Sequence, residues 1–283
     1  MKRTLSVASL LALALLAISC GGGGEPEPDF ESVSLEFSAL VGDKAFSCED
    51  TFQLGSANTD VTFSELKFYV HDVELVRSNG EVVKVTLDED EVWQARGVAM
   101  LDFEDKTGNC ANGTTQTNNT ITGKVDGLHD DYTGVNFTLG IPFELNHADV
   151  GALPSPLNVP TMFWSWQGGR KFIRLDGRVE EAGLRFHLGS TACQGEGNEV
   201  TNCSNPNRAD ISLDGLDPIG SPIVFDIAKL YEDVDLSGSA DNQSVGVCMS
   251  APDTVTCEGI FGSLGLSYGD NAGGTVSAFR GME

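Results

Sequence analysis

The residues best suited to chemistry lie in Met162-Phe163-Trp164-Ser165-Trp166-Gln167-Gly168-Gly169-Arg170. On an extended strand side chains alternate, so Trp164 and Trp166 are expected on one face, stacked side by side: two of the chain's 3 tryptophans in one place. A pair of core or interface aromatics is the plainer role for such a motif. Histidine is scarce, with only His71, His129, His147 and His187. His187, in Leu184-Arg185-Phe186-His187-Leu188, lies opposite the apolar face of its strand, which leaves its imidazole to face a cleft or solvent. His147 follows Leu145-Asn146 in a proline-rich stretch. Neutral imidazole suits copper and zinc, so these histidines are candidate ligands, set against the commoner structural role of a single histidine. Met162 and Met249 add soft thioethers that would suit Cu(I), although packing is their usual use.

Other motifs are weaker or missing. Asp233, Asp235 and Asp241 surround a short Ser/Gly stretch, but the spacing and closing Glu of an EF-hand are absent, so a solvated acidic loop is expected. Asp88 to Glu91 is a charge run that reads as a solvated turn. No G-x-S-x-G, H-E-x-x-H or glycine-rich phosphate loop occurs, and nothing points to a hydrolase.

Strands must position these groups. Apolar residues alternate with period two at Val33, Leu35, Phe37, Ala39; at Val83, Val85, Leu87; at Val135, Phe137, Leu139, Ile141; and at Leu184, Phe186, Leu188. Between Leu66 and Leu75 the apolar parity switches from even to odd at His71-Asp72, which predicts a bulge that re-aims a side chain. Only Val224 to Val234 reads as helical, with Ile227, Leu230 and Tyr231 on one face and Asp226 as N-cap. Asn109 to Thr122 is a polar surface loop held by Cys110, and Pro142 to Pro160, with four prolines, is an ordered rim loop around His147. The expected fold is all-β: one antiparallel β-sandwich with disulfide-stapled loops and one short helix.

Met1 to Ser19 reads as a signal peptide, with Lys2 and Arg3 ahead of an apolar run too short to span a bilayer. Ala17-Ile18-Ser19-Cys20 resembles a bacterial lipobox, so Cys20 is the expected lipidation site, and Gly21 to Asp29 a flexible-to-extended Gly/Pro/Glu tether. The domain then runs from 30 to 283, periplasmic or at the cell surface, and no Asp follows Cys20, as in lipoproteins sorted to the outer membrane. Removing Lys2 and Arg3 takes the formal charge from -25 to -27, so the acidity belongs to the folded domain. It repels nucleic acid and anionic lipid, which leaves membrane contact to the anchor, and it favours cations or a basic protein surface as partners. With Cys20 assigned, an even set of cysteines remains in an oxidising compartment. Cys193 with Cys203 and Cys248 with Cys257 are close enough to staple local loops, leaving Cys48 with Cys110. No C-x-x-C occurs, which argues against a zinc ribbon or a thioredoxin-type dithiol.

The ordered set Phe68-Tyr69-Val70, Pro142-Phe143-Glu144-Leu145-Asn146-His147, Pro156-Leu157-Asn158, Met162 to Trp166, Phe186 to Cys193, Cys203 to Arg208, Cys248-Met249-Ser250 and Cys257 resembles the MbnP-like W-x-W, four-cysteine copper-binding proteins. The resemblance covers the chain from about Leu35 onward. It implies an exported protein that is not itself an enzyme. A MauG-like di-haem cytochrome c peroxidase partner would oxidise Trp164 or Trp166 to kynurenine, and copper would bind through kynurenine and histidines. Carried over by position, His147 and His187 flank the motif, and the parity break makes His71 a candidate third ligand. Arg170 stands where the family often has an aromatic. Indole is readily oxidised, and kynurenine offers a carbonyl and an aryl amine that suit copper beside imidazole. The alternative is a structural or adhesive β-sandwich surface lipoprotein without a metal site.

Overall fold

The computed structural model describes residues 29–127, 129, 131–180, 182–196, 199–237, 246–250 and 255–282. The signal peptide, Cys20, the tether up to residue 28 and Asp241 lie outside the described residues. The principal strands are β1 (Phe30–Val41), β2 (Thr59–Arg77), β3 (Val98–Asp102), β4 (Thr120–Asp126), β5 (Tyr132–Leu139), β6 (Phe163–Ser165), β7 (Gly169–Arg170), β8 (Ile173–Val179), β9 (Ala182–Leu188), β10 (Thr191–Glu196), β11 (Glu199–Asn205), β12 (Ala209–Asp214), β13 (Ile223–Asp226), β14 (Val247–Cys248) and β15 (Phe279–Gly281). One sheet runs β15-β13-β1-β4 and ends on Thr86–Leu87; the other runs β12-β5-β2-β8-β9-β14, with β3 also paired to β2. Their inner faces meet in an apolar core in which Phe68 of β2 packs its ring against Phe37, Phe225 and Phe279 of the opposite sheet. The sandwich is mainly antiparallel, with parallel pairing of β1 with β13 and of β9 with β14.

Several local expectations change. The Val83–Leu87 stretch is not one strand: Val82–Lys84 pairs with β2 and Thr86–Leu87 with β4, so the chain crosses from one sheet to the other there. Asn109–Thr122 is a loop only to residue 119, because Thr120–Asp126 pairs with β1. The expected helix over Val224–Val234 shrinks to α2, Ile227–Leu230, preceded by strand β13. Ile223, Val224 and Phe225 are β-formers buried between β1 and β15, which fixes them as strand, and the Asp226 carboxylate caps the Ala228 and Lys229 amides. Among the described residues two further α-helices occur, α1 (Phe143–Asn146) in the proline-rich loop and α3 (Val255–Ser263), where the Cys248–Cys257 bridge and buried Ile260 and Phe261 hold a sequence of modest helix propensity. The other bridges join Cys48 to Cys110 and Cys193 to Cys203.

The bulge at His71-Asp72 is present. Asn136 pairs with Glu74 and Thr138 with His71, so β2 carries one extra residue, and Asp72 takes it up at φ 49°. A second extra residue lies at Ser64, between the Asp176–Glu65 and Gly177–Phe63 pairs. Between the bulges the inner face holds Leu66, Phe68 and Val70. The outer face holds Glu65, Lys67, Tyr69 and His71, all buried as well. A buried polar outer face needs a cover, and that cover is the site.

Candidate metal centre

The sheet splits at Tyr69. β3 pairs with residues 67–71 on one edge of β2, so β8 and β5 share the other edge and hand over at Tyr69, whose amide donates to the Phe172 carbonyl at 2.9 Å and whose carbonyl accepts from Gly140 N at 2.8 Å. The chain leaves the sheet at Gly140 and re-enters at Phe172. Residues 141–171 therefore form an excursion folded over the outer face, where the Pro156 carbonyl accepts the Tyr69 hydroxyl at 2.7 Å. A second excursion, 189–208, leaves from β9, returns into β12 and contains the β10–β11 hairpin.

Arg170 holds the first excursion together. Its side chain is only 1 % exposed, and its Nε donates to Leu157 O (2.6 Å) and Nη1 to Leu145 O and Asn146 O (2.7 Å each), with longer contacts to Ala148 O. The Asn146 carboxamide oxygen accepts the Arg170 amide at 2.8 Å. Gly169, at φ 72°, permits this approach: a Cβ there would lie 2.5 Å from Asn146 Nδ2. His147 closes α1 directly beyond Asn146. The second excursion is pinned by the Ser250 hydroxyl, which donates to His187 O and accepts from Gly189 N, by Asn207 Nδ2 on Gly189 O, and by Arg208 Nε on Ile141 O at 2.5 Å.

The histidines differ in what they leave open. His187 does not face open solvent: it is buried, and its Nε2 donates to Asp176 Oδ1 at 2.7 Å. That bond fixes the tautomer and leaves the Nδ1 lone pair buried without a partner. Burial alone would raise the Asp176 carboxyl, but the His187 hydrogen bond and the Arg174 charge hold it below the usual range. Arg174 also meets Glu65 (3.2 Å), which meets Lys67 (3.0 Å), so an ion-pair row across β2 and β8 ends on His187. His71 donates Nδ1 to Asp72 Oδ2 at 2.9 Å and keeps Nε2 buried and unpartnered. His147 accepts the Asn146 amide at Nε2 (3.2 Å), and the same nitrogen lies 3.4 Å from Cys203 Sγ. Burial lowers the pKa of His71 and His147, aided at His147 by Arg208, which keeps both imidazoles neutral and fit for a metal.

The tryptophans separate. β6 ends at Ser165, so the turn into β7 carries Trp166 out of strand geometry; its ring meets Phe163 edge-on at 6.2 Å and is 46 % exposed. Trp164 instead meets His187, ring centroids 6.3 Å apart and nearly perpendicular, and lies so close over Gly189 that a Cβ there would be 2.8 Å from Cζ3. The expected side-by-side stacking does not occur. Trp164, Gln167, Ser190, Thr191, Cys193 and Met249 line a cavity of about 320 Å³. Met249 thus lines the cavity, whereas Met162 is core. His147 lies against the Cys193–Cys203 bridge and does not line this cavity. His71 stands apart from His187: its row is Val98–His71–Thr138–Asp210, four residues along β2 from the Asp102–Lys67–Arg174–His187 row, roughly 13 Å at strand rise. Sequence reasoning missed Asp176, Arg170 and Ser250, because their partners are distant in the chain.

The MbnP family model matches residues 30–250. The chain belongs to the MbnP family. MbnP from Methylosinus trichosporium is a solved structure similar to it, with 30% identity, a TM-score of 0.76, and 89% of this chain and 98% of that one covered. A search of curated proteins gives no match. As expected of an exported MbnP-family chain, the cysteines among the described residues pair as disulfides, which persist in oxidising compartments, and no described helix is long and apolar enough to cross a membrane.

Proposed function

We propose that the chain is an exported copper-binding protein in which Trp164 is the tryptophan oxidised to kynurenine by a di-haem cytochrome c peroxidase-like partner. Copper is then held by kynurenine and His187, with His147 approaching from the proline-rich loop. The chain is the substrate of that oxidation and not a catalyst. The observation that supports this most is the buried, unpartnered Nδ1 of His187 in a ring whose centroid lies 6.3 Å from that of Trp164, its tautomer set by Asp176. A carboxylate behind a histidine is the usual outer-shell support of a metal ligand. Copper supplies the affinity for nitrogen and oxygen donors; Arg170 and Ser250 hold the two histidine-bearing segments in place. Trp166 is exposed at the rim and available to a docking protein. A lipid on Cys20 and the tether beyond it would keep the domain at the outer membrane. Peptide mass mapping of protein co-produced with its di-haem partner tests the assignment: ring-opened Trp164 and intact Trp166 are expected, and the reverse pattern overturns the choice of residue.

A further inference from the structure

The Cys193–Cys203 bridge differs from the other two. Cys48, Cys110, Cys248 and Cys257 are all buried, whereas Cys193 is half-buried and lines the open cavity beside Trp164. An accessible sulfur is where a reductant attacks first. The bridge is also the one with an imidazole against it: His147 Nε2 lies 3.4 Å from Cys203 Sγ, and one ligand atom from each of His147, Cys193 and Cys203 falls within 4.8 Å of the others. Among the described residues this is the sole group of three or more metal-ligating side chains so close. As a disulfide it offers no thiolate, and so no metal site as it stands.

We propose that this bridge is a redox-gated metal site: once reduced, its two thiolates and the imidazole of His147, whose Nε2 gives up the Asn146 hydrogen bond, take one Cu(I) ion. The scaffold for the site does not depend on the S–S bond. Cys193 and Cys203 are directly opposed in the β10–β11 ladder, which pairs Thr191 with Asn205 on one side and Gln194 with Asn202 on the other. Two metal–sulfur bonds of about 2.3 Å span roughly 4 Å between sulfurs, within what cross-strand neighbours allow. The bridge closes a loop of sequence separation 10, against 62 for Cys48–Cys110, so opening it releases little of the chain. Arg170 fixes the backbone of residues 145–148 and with it His147. Two thiolates and an imidazole form a soft donor set suited to Cu(I).

The chemistry balances with a dithiol reductant of the thioredoxin class. Its thiolate attacks Cys193 Sγ and the Cys193–Cys203 bond breaks. The reductant leaves as a disulfide, and two electrons and two protons remain on the chain as two thiols. Cu(I) then displaces both protons. A disulfide-bearing oxidant takes the two electrons back, reforms the bond and releases the ion. This inference goes beyond the kynurenine reading and uses neither Trp164 nor His187, so it is tested on protein produced without any di-haem partner, where the tryptophans are unmodified.

Mature protein is reduced with limiting tris(carboxyethyl)phosphine, alkylated and peptide-mapped; Cys193 and Cys203 are expected to label first, with the other four cysteines blocked. Unalkylated reduced protein, titrated anaerobically with Cu(I) against a colorimetric chelator, is expected to bind one equivalent more than the oxidised protein. The Cys193→Ser/Cys203→Ser variant loses that equivalent, and His147→Gln holds it about tenfold more weakly. X-ray absorption of the Cu(I)-loaded wild type gives a readout independent of variant folding, with two sulfurs and one nitrogen expected around copper. Earlier labelling of another bridge, no additional Cu(I), or a first shell without sulfur overturns the proposal.

Discussion

Replacing Arg170 with methionine keeps most of the stem volume and removes the donors that hold residues 145–157 against the sheet. Three short bonds are lost, to Leu157 O at 2.6 Å and to Leu145 O and Asn146 O at 2.7 Å. A hydrogen bond from a charged donor contributes about 1.5–3 kcal/mol, so the gross loss is about 4–9 kcal/mol. Relief of the buried guanidinium, whose burial already pushes its pKa down, offsets part of it and leaves about 3–5 kcal/mol. That is a large fraction of the roughly 5–15 kcal/mol stability of an ordinary domain. The excursion is laid over the outer face of the sheet, where it buries Leu157 and Met162, so the three carbonyls reach water only if it lifts away. The expected result is local opening. Amide exchange at Asn146, Leu157 and Met162, each bonded within the excursion, should accelerate about 10²–10⁴-fold, while amides pairing β2 with β3 exchange as in the wild type. Arg170→Lys should fall between, because a single ammonium cannot reach three carbonyls in fixed directions. Exchange of the 146–162 amides within tenfold of the wild type in Arg170→Met would refute the assignment of Arg170 as the organiser of the loop.

Three further outcomes follow from the same contacts. Asp176→Asn removes the ionised acceptor that fixes the His187 tautomer, and copper affinity of the co-produced protein should fall about 10–100-fold in a chelator competition, with an unchanged affinity contradicting the role. Gly169→Ala combines a left-handed backbone at φ 72° with a Cβ 2.5 Å from Asn146 Nδ2, so denaturant unfolding should show a loss of at least about 2 kcal/mol; a loss under half of that is inconsistent with the packing. Burial raises the Asp102 carboxyl to about 6, well above its unfolded value, and raises Glu104 as well. A raised acid makes the folded state hold its proton longer than the unfolded state, so its contribution to stability declines as pH climbs from about 4 to about 6. Asp102→Asn abolishes that term, and its Tm relative to wild type should be higher at pH 7.5 than at pH 5; an equal difference at both pH values removes the argument.

What the sequence reveals is what local pattern encodes. The alternation in Val33–Ala39 and Val135–Ile141 marks real half-buried strands, and the parity switch at His71-Asp72 marks a bulge, because a period of two leaves an extra residue no place to hide. The Trp164/Trp166 expectation fails because it assumes a strand through Ser165 where a turn begins. The sequence leaves His187 facing either a cleft or solvent, because the cover over the polar side of its strand comes from elsewhere: Asp176 on the neighbouring strand and the W-x-W excursion. The Ser64 bulge, the split at Tyr69 and the grip of Arg170 are long-range pairings with no local signature. Thus the motif residues are legible one by one, and their division into a Trp164–His187 side, a His147–disulfide side and a remote His71 is not.

The central claim is that Trp164, and not a bare histidine pair, makes the copper site. The direct measurement is copper stoichiometry on the disulfide-intact protein, produced with and without the proposed di-haem partner and mapped by mass at Trp164. Tight, stoichiometric copper only in the co-produced sample, tracking the fraction of ring-opened Trp164 and lost in His187→Ala, is the predicted result. Unmodified Trp164 with no stoichiometric copper in either sample contradicts it and favours a structural or adhesive β-sandwich without a metal site.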